Sequence, residues 1–80
     1  MELVPNGYYY RLDENQMSIL ADYIGEDPIL KPLLEDFSEI DGYYYAPCAN
    51  VDFDEQAAIL DAGLVLDMWI YLKSSQWIHG

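Results

Sequence analysis

Apolar side chains along this chain follow two rhythms, and the change of rhythm marks the elements. Met17, Leu20, Ala21 and Ile24 share one face at helical spacing. Asp13 stands ahead of them as a cap for free backbone N–H groups, and Gln16 can reach back to complete a capping box. Leu12 and Met17 occupy the two places of a hydrophobic staple, and Gly25 ends the run. The pattern predicts a helix over 13–24. Leu33, Leu34 and Phe37 predict a short helix over about 32–37, preceded by a brief turn at 28–31 because Pro32 would kink anything longer.

Asp52 and Glu55 repeat the capping box ahead of a longer apolar stretch. Ala57, Leu60, Leu64, Met68 and Tyr71 form one helical stripe, and Ile59, Leu66 and Ile70 form another. This predicts the longest element, a helix over 53–73, with Gly63 weakening its middle. A helix apolar on most sides is wrapped by its own domain or shared with a second chain, so a homodimer through helix 53–73 stays open.

Elsewhere the period falls to two. Tyr8-Tyr9-Tyr10-Arg11 follows Asn6-Gly7, and Tyr43-Tyr44-Tyr45-Ala46 follows Asp41-Gly42. Such dipeptides tolerate the positive φ of tight turns, and tyrosine suits a pleated, half-buried surface. Strands are predicted near 8–11 and 43–46, each as part of a hairpin; Ser38-Glu39-Ile40 is the partner before Asp41-Gly42. The two turn–strand–helix units echo one another, and their tyrosine strands could pair in one sheet with helices on one face. Alternation then sends Tyr43 and Tyr45 one way and Tyr44 the other. The fold class is α+β and mostly helical, in a single domain over 1–80.

Charge changes this picture most. Fifteen acidic residues face Arg11, Lys31 and Lys73, for a formal net charge of −12. The 41 residues from Pro32 to Leu72 carry no lysine or arginine, although an ordinary solvated face intersperses both signs. Crowded carboxylates raise one another's folded-state pKa values and destabilise the compact state. Solubility or a high-salt habitat would explain such a balance, and so would a basic partner. Direct contact with nucleic acid or an anionic membrane is disfavoured by the same charge. Asp67 sits inside an apolar run and requires either exposure or a cationic neighbour.

Candidate chemistry is sparse. Cys48 is the only cysteine, which excludes an intrachain disulfide and fits a cytoplasmic setting. The start, Met1-Glu2-Leu3-Val4-Pro5, lacks the basic and apolar regions of a secretory signal, and no apolar run reaches the ~20 residues of a membrane span. His79 is the only histidine and anchors no nucleophilic arrangement, so no catalytic residue is assigned and the chain does not read as an enzyme. Asn50, Asp52, Asp54 and Asp61 match four places of a calcium-loop register, but Glu55 holds the place that needs glycine. No metal or cofactor is expected.

Leu33-Leu34-Glu35-Asp36-Phe37, Asp41-Gly42, and Tyr44-Tyr45 with Pro47 resemble the middle of the small acidic immunity proteins that neutralise bacteriocin DNases; here Ala46 separates the tyrosines from the proline. The resemblance covers roughly 33–55 and implies an all-helical bundle whose acids and tyrosines grip a toxin. By type the chain is also similar to phage-encoded DNA mimics, including anti-CRISPR and anti-restriction proteins. Both resemblances imply an inhibitor that occupies the basic surface of a nuclease or other DNA- or RNA-binding protein. The contact residues would be Glu35, Asp36, Glu39, Asp41, Tyr43, Tyr44, Tyr45, Asp52, Asp54 and Glu55. The alternatives are a bacteriocin-type immunity protein and a dimerising regulatory module without inhibitory activity.

Overall fold

A computed structural model describes residues 3–73 and 76–80. Strand β1 (Gly7–Leu12) leads into helix α1 (Glu14–Ile24), and helix α2 (Lys31–Asp36) precedes the hairpin β2 (Ser38–Ile40) and β3 (Tyr43–Pro47). A single 3-10 turn (Cys48–Asn50) connects to helix α3 (Phe53–Asp61), after which come β4 (Asp67–Tyr71) and β5 (Trp77–His79). The strands form one antiparallel five-stranded sheet in the order β2-β3-β1-β4-β5.

Two of the three helices follow the sequence pattern closely. In α1 the Asp13 carboxylate accepts from the Gln16 N–H at 2.7 Å, while the Gln16 side chain accepts from the Asp13 N–H at 2.9 Å. Both halves of that box supply acceptors that the first helical turn lacks within itself. The short helix lies at Lys31–Asp36, one residue earlier than the predicted 32–37, with Pro32 inside its first turn where no N–H is missed.

The chain is not mostly helical: helix accounts for 38% and strand for 29% of the described residues. The bundle implied by the immunity-protein resemblance is therefore not formed. The predicted helix over 53–73 ends at Asp61, and its second half contains β4. Gly63 is the reason. It adopts φ +85°, its N–H bonds the Leu60 carbonyl at 3.0 Å, and the Leu64 N–H reaches back to the Ile59 carbonyl at 3.2 Å. That pair of bonds is a Schellman stop, with Ile59 and Leu64 in the hydrophobic contact that accompanies it. Beyond it, Asp67-Met68-Trp69-Ile70-Tyr71 has the aromatic and branched content of a strand, and β1 offers it an open edge. A self-pairing surface along one continuous 53–73 helix does not exist.

The two turn motifs also differ from one another. Asp41 and Gly42 have φ of +52° and +89°, the double positive φ of a two-residue hairpin turn between β2 and β3. Asn6, at φ +62°, instead takes the third place of a turn in which Pro5 is second and the Gly7 N–H bonds the Val4 carbonyl. Among the described residues no strand precedes it. A Cβ at Gly7 would lie 2.8 Å from the Val4 carbonyl oxygen, so the turn also needs glycine there.

One side of the sheet carries the helices. Tyr10, Leu12 and Ala46 meet Leu20, Ile24, Leu33, Phe37, Val51, Ile59 and Leu64 in the buried cluster. The helices lie toward β1 and β3: α1 packs on both, and α2 packs on β3. The tyrosine strands do pair, with Tyr10 opposite Ala46 and Arg11 opposite Tyr45.

The two readings of Gly63 give opposite signs. Within a helix, Gly63→Ala would stabilise; at a left-handed stop, it destabilises by about 1–2 kcal/mol even though open space surrounds the position. Urea denaturation of the variant decides, and a raised midpoint would contradict the stop.

Candidate protein-binding surface

The other side of the sheet has no helix, and its own side chains cover it. Alternation places Tyr9 and Arg11 of β1, Tyr43 and Tyr45 of β3, Asp67, Trp69 and Tyr71 of β4, and Trp77 and His79 of β5 on this side. Trp77 stacks on Tyr45 at a ring separation of 3.9 Å, meets Tyr9 edge-on at 5.2 Å and touches Tyr71 at 5.0 Å. In a flat sheet β3 and β5 would stand about 14 Å apart. The rings meet because Trp77 lies back over β4 and β1 toward β3. Tyr9 and Tyr45 are thereby buried, with 1% and 4% exposure. The Tyr9 hydroxyl accepts from the Val4 N–H at 2.8 Å, which ties the N-terminal turn to this layer.

Arg11 lies between two rings of the same layer, 4.1 Å from the centre of Tyr43 and 3.8 Å from that of Trp69. Asp67 is its register partner on β4 and lies 3.5 Å from the His79 imidazole; its side chain keeps 39% exposure, so the carboxylate inside the apolar run is solvated and has a polar neighbour. Burial pushes the Tyr45 hydroxyl up, and the adjacent Arg11 guanidinium opposes that shift by hydrogen bond and charge.

The acidic residues separate into two groups. Glu35 is exposed and Asp36 half-buried at the end of α2; Glu39 is exposed on the edge strand β2, and Asp41 is exposed in the hairpin turn. Tyr43 begins β3 beside them with 39% exposure. Asp52 and Glu55 instead cap α3: the Asp52 carboxylate accepts from the Glu55 N–H at 2.8 Å, and the Glu55 side chain accepts from the Asp52 N–H at 3.1 Å. They follow the far end of β3, about 13 Å from Tyr43 along the strand. Exposed Asp54 belongs with them. Tyr44 is half-buried against the helix-side core, and Tyr45 lies under Trp77. Tyr43 is the most exposed of the three and adjoins the hairpin turn, while half-buried Tyr44 stands opposite Glu39.

Asp13 and Glu14 join the hairpin acids, which no sequence spacing indicated. With Asn15, Ser18, Gly42 and Tyr43 they line an open groove of about 630 Å³ between the first turn of α1 and the β2–β3 turn. Asp13 is positioned there by its own capping box. Comparison with protein-family models, curated proteins and solved structures finds no match to this chain. The reading of the surface therefore rests on its chemistry. Among the described residues no group of three histidine, cysteine or acidic side chains is placed to hold a metal ion, and no helix is long and apolar enough to cross a membrane.

Arg11→Lys removes a planar guanidinium from between two rings and is not conservative here. It lowers stability by about 1–2 kcal/mol in urea titrations; a midpoint equal to that of the parent would remove Arg11 from this role. Asp36 gives a pH test. Burial, and then the neighbouring Glu35 charge, raise its folded-state pKa. The folded chain then holds the proton more tightly than the unfolded chain, so the penalty is present at neutral pH and relieved as pH falls through the carboxylate range. Asp36→Asn raises the neutral-pH midpoint, and the gain shrinks on acidification. A gain that grew toward acid pH would reverse the assignment.

Proposed function

We propose that the chain is an acidic inhibitor that occupies the basic nucleic-acid-binding surface of a nuclease or other DNA- or RNA-binding protein. Phage anti-CRISPR and anti-restriction proteins are examples of this type. The observation that carries the reading is the unequal placement of the two charge signs. Of the three basic residues, Arg11 is drawn between aromatic rings, Lys31 pairs with exposed Glu26 at 3.4 Å, and Lys73 is exposed. Glu14, Glu35, Glu39, Asp41 and Asp54 meanwhile stand exposed. With Arg11 drawn into the aromatic layer, Lys31 and Lys73 are the bases left on a predominantly acidic surface.

The contact is centred on the β2–β3 turn. Glu14, Glu39 and Asp41 attract lysine and arginine side chains that would otherwise hold phosphates, and the groove gives a guanidinium room beside Asp13 and Tyr43. Tyr43 supplies the partly apolar anchor. Glu55 is buried and Asp52 lies beyond the far end of β3, so neither is placed in this contact.

The test captures host-extract proteins on the immobilised chain and challenges the complex with duplex DNA and with salt. The bound protein is basic, DNA displaces it, and affinity falls steeply as salt rises. The double variant Glu39→Lys/Asp41→Lys weakens capture at least about tenfold. Capture that ignores DNA, salt and this variant would overturn the reading.

A further inference from the structure

The helix layer is narrower than the sheet. On the helix side, Tyr8 of β1 stands opposite Ile70 of β4, and Ile70 stands opposite Ile78 of β5. Met68 is the next residue on that side of β4. Tyr8, Met68 and Ile78 are 53%, 37% and 49% exposed, although Tyr10, two residues along β1 on the same side, is buried in the core. The row crosses three paired strands, and the Gly80 N–H bonds the Met68 carbonyl at 2.8 Å, so backbone pairing holds it ready-made. Contiguous exposed apolar side chains on a small, highly charged protein mark a contact surface.

We propose that this bare half of the sheet is the docking surface for an amphipathic, basic helix of a partner protein. Its width decides the shape: three strands span about 10 Å between their axes, one helix diameter. A helix lying there would extend the layer that α1 and α2 begin. Charge decides the chemistry. At −12, the chain opposes a second copy of itself, an acidic helix and an anionic lipid surface alike. A helix with leucine-like residues toward Tyr8, Ile70 and Ile78 and lysine or arginine on its flanks buries the row and is drawn in by the chain's net charge of −12. The inference does not depend on the acidic hairpin, which lies toward the other edge of the sheet.

The probe is a synthetic leucine–lysine peptide of about five helical turns, followed by amide chemical-shift mapping on the intact chain. The controls are the same composition scrambled to abolish its apolar face, and a leucine–glutamate version. The shifts centre on Tyr8, Met68, Ile70 and Ile78, both controls bind far more weakly, and Tyr8→Ser/Ile78→Ser weakens the leucine–lysine peptide at least about tenfold. Both substituted side chains are about half exposed, and Ile78→Ser alone gives a milder version of the same loss. Shifts confined to Glu14, Glu39 and Asp41, or equal binding of the scrambled peptide, would reduce the contact to charge and sink the proposal while leaving the acidic-hairpin reading intact. It is equally overturned if the parent sediments as a dimer that Ile78→Ser dissolves, or floats with uncharged lipid vesicles, since a second copy or a lipid surface would then be the occupant.

Discussion

The structure depends on covering both sides of β1. This central strand carries Tyr10 and Leu12 to one side and Tyr9 and Arg11 to the other, and every other element is arranged around that demand. Three short helices cannot enclose a five-stranded sheet, because a chain this size buries only about 60–65% of its unfolded surface. They cover the β3–β1 half of one side. The opposite side is closed by large side chains growing out of the sheet itself, with Trp77 lying across Tyr9, Tyr45 and Tyr71. Aromatic residues suit this task, since each buries about 150–250 Å² from a single backbone position. The cost of the arrangement is the uncovered strip at β4 and β5.

Charge is distributed according to the same constraint. An arginine in a partly buried layer needs compensation, and Arg11 finds it in two ring faces and in the Tyr45 hydroxyl. Acids are used structurally where the backbone favours them. Asp13 and Glu14 stand at the start of α1, and Asp52, Asp54 and Glu55 at the start of α3, where free N–H groups and the helix dipole favour negative charge. Neither helix has a basic residue in its last turn, so the opposite stabilisation is forgone. Outside these caps Asp27 accepts from the Ile29 N–H at 2.9 Å, Glu26 pairs with Lys31 and Asp67 lies beside His79, but other acids have no such local partner. Glu39 and Asp41 stand out in that respect, on an edge strand and a turn whose geometry would accept neutral residues.

Local signals were legible in the sequence wherever one short segment decided the outcome. Both capping boxes, the Asp41-Gly42 turn and the alternation that separates Tyr44 from Tyr43 and Tyr45 required only neighbouring residues. The stretch 53–73 failed because its spacing satisfies two periods at once. Ala57, Leu60, Leu64, Met68 and Tyr71 fit a helix, yet Asp67 to Tyr71 fits a strand equally well, and the glycine between them reads as a weak point within a helix as readily as a stop at its end. The three residues of β5 are too few to carry a period. The position of Arg11 between Tyr43 and Trp69 depends on a register among β3, β1 and β4 that no local pattern encodes. The grouping of Asp13 and Glu14 with Asp41 depends on that register too, which is why the candidate surface was only partly visible: its acids near the hairpin could be named, but those supplied by α1 could not.

The strand order separates the two exposed surfaces in a way that constrains any partner. The acidic hairpin lies at the β2 edge and the bare apolar strip at the β5 edge, with β3 and β1 between them. A flat basic surface cannot seat on both, since α1 and α2 stand on the sheet between them. A partner using both would have to present a groove for the hairpin and a separate helix that reaches round the sheet. The two contacts would then divide the work of binding. Exposed carboxylates act over a Debye length and chiefly raise the rate of encounter, whereas desolvated apolar contacts chiefly lengthen the life of the complex. High salt would slow formation of such a complex while changing its dissociation far less.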